Sequence, residues 1–208
     1  AVVGWVAEAT SEGVRLISTS LPGLGTHSGG GPVPQIETVG VQLERPFDGH
    51  GPVSQFWGGN AQFYSQFLYD SVPLKGHNGI DFATAVGTPL IAVDGGEIIK
   101  VDYEHGGFGH HIVIRHAWGE SLYAHLAQVS VLYGAAVARG QQIGTTGDSG
   151  VGAAHLHFGI RLNPYRRTDG WGGFTDPRPF MRPEDLVVSR APHTPAPMAR
   201  EIPGRPRP

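Results

Sequence analysis

Cysteine is absent from the 208 residues. Neither a disulfide nor a thiolate-held metal is therefore available, and any bound metal must take nitrogen or oxygen from His, Asp or Glu. Charge is scarce as well: 15 Lys and Arg stand against 18 Asp and Glu, for a formal net charge of −3. Neither sign gathers into a block. A nucleic-acid binder would carry a basic stripe, so that class is set aside. No run of eighteen or more apolar residues occurs, which leaves no candidate for a membrane-spanning helix. The opening "AVVGWVAEAT" has no basic n-region and is not an intact signal peptide. Either a leader has been removed or the chain is part of something longer.

What the sequence has in plenty is glycine, 32 residues, alongside 17 prolines. That composition suits tight turns between short strands, not long helices. "PLIAVDGGEIIKVDY" gives two strands around Asp94-Gly95-Gly96. "HHIVIRHA" and "SLYAHLAQV" flank Trp118-Gly119-Glu120 as a hairpin, and "QQIGTTG" and "HLHFGIRL" read as further strands. "VRLISTSL" suits one more strand near the start. "NAQFYSQFLYD" (60–70) is the one helix candidate. Residues 1–45 read as an N-terminal extension or linker, 46–186 as one domain, and 187–208 as a proline-rich tail. The predicted fold is all-β, an antiparallel sandwich or barrel-like single domain. Its core is expected from Leu90/Ala92, Ile98, Ile112/Ile114, Leu122/Ala124 and Leu156/Phe158/Ile160.

Histidine is the other abundant residue, at 11, and "AAHLHFGI" (153–160) places two of them one residue apart. On a strand, His155 and His157 share a face while Leu156, Phe158 and Ile160 turn to the core. The two imidazoles then stand about 6.5–7 Å apart along the strand. One of them can ligate a metal while the other moves a proton. "GHNGIDF" (76–82) sets His77 and Asp81 four residues apart, again on one face of an extended segment. Two imidazoles and a carboxylate are a common Zn²⁺ set, and three protein ligands mark a catalytic site, not a structural one. His125 in "SLYAHL" is a further candidate, two residues beyond Tyr123 and expected on its face. His27, His50 and His193 read as solvated side chains. His105, His110, His111 and His116 read as surface or satisfied strand positions.

Several blocks in order resemble the M23 metallopeptidases, the lysostaphin and LytM type of peptidoglycan endopeptidase. They are "GHNGIDFATAVGTPLIAVDGGEI", "GFGHHIVIRH", "SLYAHLAQVSVLYGAAVARGQQIGTTGDSG" and "HLHFGIRLNP", with "VSQFWGGNAQFYSQF" before them. The resemblance spans about Pro46 to Pro179. It implies an antiparallel β domain with an open groove and zinc-dependent hydrolysis of peptide cross-links or bridges in bacterial peptidoglycan. By motif, it implies that His77, Asp81 and His157 hold Zn²⁺ and that His125 and His155 assist catalysis without ligating. The sequence departs from the family in Gly159, where Glu often follows His-Leu-His-Phe, and in the loop before His155, which lacks a frequent proline. The expected partner is wall peptide, with no nucleic acid and no membrane span. The expected setting is extracellular or the cell envelope, and the expected state a monomer.

Two other classes are weighed. A non-catalytic M23-like module that scaffolds or activates another wall hydrolase typically lacks ligands, whereas all five residues are present here. A lipoyl- or biotinyl-type carrier needs a modifiable lysine at a hairpin tip, and Lys100 falls within a strand pattern.

Overall fold

The computed structural model describes residues 3–10, 13–20 and 40–188; His27, His193 and most of the expected extension and tail lie outside them. Strands dominate, as the turn-rich composition predicts. β1 (Val3–Thr10) and β2 (Gly13–Ser20) form an antiparallel hairpin, where only the second strand was expected. The remaining strands are β3 (Val53–Gln55), β4 (Leu68–Tyr69), β5 (Val72–Pro73), β6 (Ile80–Phe82), β7 (Pro89–Ile91), β8 (Gly96–Glu104), β9 (Gly109–Arg115), β10 (Gly119–Ala124), β11 (Leu126–Val129), β12 (Ala136–Val137), β13 (Gln142–Thr146) and β14 (Leu156–Leu162).

Seven of these make one antiparallel sheet in the order β12-β8-β9-β10-β14-β6-β3, and β11-β13-β7 make a second. The sheets face each other across one core. Ile80, Phe82, Ile98, Ile112, Ile114, Tyr123, Leu156, Phe158 and Ile160 come from the large sheet and meet Leu90, Leu126 and Ile143 from the small one. Period-2 alternation accounts for this core: on β14 the apolar positions are every second residue, and the polar ones face the other way. The expected parity fails on β10. Tyr123, not Leu122, faces the main core, while Leu122 joins Val113 and Phe174 in a smaller cluster on the opposite face. Pairing explains it, since Tyr123 lies opposite Ile112 and Phe158, and Leu122 opposite Val113 and Gly159. The turn at Asp94-Gly95-Gly96 also differs from a simple hairpin. It carries the chain from β7 in the small sheet to β8 in the large one.

The expected helix shrinks to one turn, α1 (Ala61–Tyr64). Beyond it Asp70 and Ser71 both take positive φ, 47° and 66°, which is the conformation of a two-residue hairpin turn, and β4 pairs with β5 across it. That hairpin and the segment bearing Phe174 stand over the outer face of the large sheet, where the functional groups gather.

Candidate metal centre and active site

Asp81 is a strand residue whose neighbours Ile80 and Phe82 are fixed in the core, so its carboxylate must point to the outer face. His157, directly opposite it on β14, points the same way. His77 lies just before β6 and is tied down by backbone bonds to Gly58 and Gly59. Its Nδ1 donates to the Phe56 carbonyl at 3.1 Å. A carbonyl only accepts, so His77 Nε2 carries the lone pair and faces the cluster. Three atoms then converge: His77 Nε2 to Asp81 Oδ1 is 3.0 Å, His157 Nδ1 to Asp81 Oδ1 is 3.0 Å, and His77 Nε2 to His157 Nδ1 is 2.9 Å. All three residues are buried, and the arrangement is of a kind that can hold a metal ion. Gly79 is part of this geometry, because a Cβ there would stand 2.7 Å from the His157 ring and 2.6 Å from the Phe158 carbonyl oxygen.

Burial pushes the Asp81 carboxyl up, but the adjoining His77, His157 and His155 imidazoles outweigh it and hold the group well below its usual range. It is an anion at neutral pH. Burial pushes the His157 imidazole down, against the pull of Asp81, which keeps a lone pair available. His157 Nε2 is buried and has no hydrogen-bond partner.

His155 and His125 stand beside the cluster with ring centroids 4.5 Å apart. His155 shares the face of His157, as alternation requires, and its Nε2 is 3.9 Å from Asp81 Oδ1. His125 arrives by a different route. It was expected beside Tyr123 on the face away from the core, but with Tyr123 itself turned into the core strict alternation would send His125 there too. Instead it takes φ 64° at the corner where the chain leaves β10 for β11, and this turns its ring to within 6.1 Å of His157. Both imidazoles donate from Nδ1 to a carbonyl, His125 to Ser149 at 2.9 Å and His155 to Ala153 at 2.8 Å. Their Nε2 atoms are thereby the ones free to exchange a proton. Burial, with His155 and His157 adding to it, pushes His125 down to about 3, so it is neutral at neutral pH.

The five predicted residues are thus brought together, and none of the other described histidines joins them. His50, His105 and His110 are exposed. His116 is buried and satisfied, donating from Nδ1 to the Gly95 carbonyl and bonded through Nε2 to the Ser121 hydroxyl. The sequence reading missed Tyr64. Its ring lies 5.1 Å from that of His77 and its hydroxyl accepts from Gln55 Nε2. Burial, then the Asp81 charge, raises its phenol, which stays a proton donor. Only the helical pattern of "NAQFYSQF" was visible around it, and that carries no sign of a site. Tyr64, Phe63 and Phe108 help wall a groove of about 490 Å³ over the cluster. Gly159 faces Phe174, whose ring would meet a Cβ there at 2.9 Å.

Residues 75–168 match the family model described as Peptidase family M23. Peptidoglycan DD-endopeptidase ShyA of Vibrio cholerae is 34% identical over 122 residues, covering 57% of this chain and 28% of that protein. Lysostaphin of Staphylococcus simulans is 32% identical over 124 residues, covering 58% and 24%. The chain spans less than a third of the length of these curated relatives. Among solved structures, a mutant of the catalytic domain of the prophage-encoded M23 protein EnpA from Enterococcus faecalis matches 64% of this chain and 92% of its own. Its TM-score is 0.50 at 25% identity.

Proposed function

We propose that the chain, whose residues 75–168 match peptidase family M23, is a zinc-dependent endopeptidase cleaving peptide cross-links or bridges of bacterial peptidoglycan. The observation that carries the reading is the convergence of His77 Nε2, Asp81 Oδ1 and His157 Nδ1 to 3.0 Å or less, beside two imidazoles with free Nε2 atoms. Two nitrogens and a carboxylate oxygen suit zinc. Their separations approach the ~3.3 Å between donors sharing one tetrahedral ion at about 2.0–2.1 Å. In this reading His77, Asp81 and His157 hold the ion, and His125 and His155 do not.

Zinc, when bound, supplies Lewis acidity to the scissile carbonyl. The rest falls to the chain. His77 is aimed by the Phe56 carbonyl, an outer partner of the kind that fixes a ligand's tautomer. One Nε2 of the His125–His155 pair takes the proton of the attacking water, and the leaving amine nitrogen is protonated from the same pair. In this reading the Tyr64 hydroxyl donates to the oxygen that gains charge, as does an imidazole of the pair once its Nε2 has taken up a proton. The unit proposed for this chemistry is residues 46–186 together with the Leu43 segment that packs into its core, and the proposed workplace is outside the cytoplasm, where wall peptides are.

Purified chain mixed with isolated cell walls tests the reading. Turbidity should fall, chelation should stop the fall, and added zinc should restore it with one ion bound per chain. A chain that binds no zinc overturns the proposal. Lysis only in the presence of a second hydrolase would favour the non-catalytic module instead.

A further inference from the structure

A second cavity, of about 480 Å³, lies on the same outer face of the large sheet and takes no part in the chemistry above. Arg161 on its floor is four residues beyond His157 on β14, roughly 13 Å along the strand. Leu68, Tyr69, Glu104 and Phe108 line both this cavity and the groove over the histidines, so the two are contiguous across a shared rim.

A β-bulge builds its charged wall. Ile98 faces the core opposite Ile114, and unbroken alternation would drive Lys100, Asp102 and Glu104 into that core. The register shifts between Ile98 and Lys100, so that Lys100 lies opposite Val113 and Asp102 opposite His111. One extra residue reverses the parity and sends the three charged side chains to the cavity face.

Those charges pair almost completely. Arg161 bonds Glu120 at 2.8 Å, Arg167 bonds Asp70 at 2.6 Å, and Lys100 lies 3.4 Å from Asp102. Glu104 is left over. It has no ion-pair partner among the described residues, and its one hydrogen bond is a long one from the Phe108 amide at 3.5 Å. The lining therefore carries one uncompensated negative charge, in a cavity that Phe108 and Tyr69 also line. His111 lies in the same lining. It gives its Nδ1 proton to the Gly109 carbonyl at 2.9 Å, which leaves Nε2 as a buried acceptor with no donor.

We propose that this cavity is a subsite for an amine-bearing residue of the peptide ligand, with the ammonium at Glu104 and the alkyl stem against Phe108 and Leu68. Glu104 and Phe108 stand on the shared rim, and the Phe108 ring lies 5.4 Å from that of His157. At about 3.3–3.4 Å per extended residue, the subsite therefore takes a side chain about two residues from the bond held over the histidines. The inference rests on the peptidase reading for the identity of the ligand, whereas the charge complementarity stands on its own.

The test compares native protein with Glu104→Gln, which keeps an oxygen to accept from the Phe108 amide. The probes are soluble cross-linked wall peptides, with their side-chain amine either free or chemically acetylated. Native protein should favour the free amine in kcat/KM by about five-fold, as one half-exposed ion pair gives, through KM and not kcat. Glu104→Gln should bring the ratio to near one. Cleavage with no such preference, or with a preference that survives Glu104→Gln, overturns the subsite and leaves the peptidase reading standing. If neither peptide is cleaved, the peptidase reading fails. Calorimetric titration with the same two peptides then decides the subsite: an amine preference that Glu104→Gln abolishes supports it, and equal binding overturns it.

Discussion

His155 and His157 are separated by one leucine, yet their surroundings differ. His157 is buried against Asp81 and His77, while His155 stands 3.9 Å from the carboxylate and nearer the groove. Substituting His77, Asp81 or His157 by Ala should therefore abolish both zinc and wall lysis, since each removes one of three ligands. His155→Ala should keep stoichiometric zinc and lose roughly 10²–10⁴-fold in turnover, the usual worth of a positioned acid or base. Combining it with His125→Ala should cost less than the product of the two losses, because the pair acts as a unit. Zinc content and lysis rate on the same preparations check this, and loss of zinc from His155→Ala alone would exchange the two roles. The pair was legible in the sequence because apolar parity on "HLHFGI" leaves the imidazoles one face. Tyr64 was not legible, since nothing in an amphipathic aromatic segment marks the residue that turns to a histidine.

At the scale of elements, the corner between β10 and β11 carries the greatest departure from alternation. Alternation through "SLYAHL" cannot place His125 in the site; a left-handed backbone at that one residue does so as the chain changes sheets. The bulge in β8 is similar, because it reverses parity without any glycine or proline to announce it. Both are set by the meeting of two sheets, a long-range event that a local pattern does not contain. The corner gives a separable prediction. Asn tolerates positive φ and a β-branched residue does not, the difference being about 1–2 kcal/mol. His125→Asn should therefore lose turnover while unfolding in urea near the native midpoint, and His125→Val should lose turnover and unfold earlier by that amount. Equal midpoints for the two variants would remove backbone strain from the account of this corner.

For the molecule as a whole, the sandwich and its core were readable because short alternating strands leave few other ways to bury Ile, Leu and Phe. The limits of the core were less readable. Leu43, in the stretch read as extension, is buried among core residues, and its amide donates to the Phe180 carbonyl at 2.8 Å. Leu43→Ala should cost about 2–5 kcal/mol, measured by urea unfolding, as truncation of a core leucine does. A negligible cost would place the fold's edge after this residue.

Acid should destabilise the metal-free fold well before the carboxylates titrate. Burial depresses His111 and His116 below their ordinary 6.5, and burial with neighbouring imidazoles takes His125 to about 3. A histidine kept neutral by folding binds its proton more weakly in the folded than in the unfolded chain. Its contribution is thus fully present above pH 6.5 and is lost as pH falls, for His125 down to about 3. Asp81, held well below 3.8, adds its own loss only in stronger acid. In chelator, the thermal midpoint should be level from pH 8 to about 6.5 and then decline steadily toward pH 4.5. Each such histidine can contribute a slope of at most about 1.4 kcal/mol per pH unit. His116→Asn should start from a lower midpoint, because the Ser121 and Gly95 bonds are disturbed, but should decline less steeply over that range. A midpoint that stays level to pH 4.5 in the native chain would mean that these imidazoles reach water and are not held neutral by the fold.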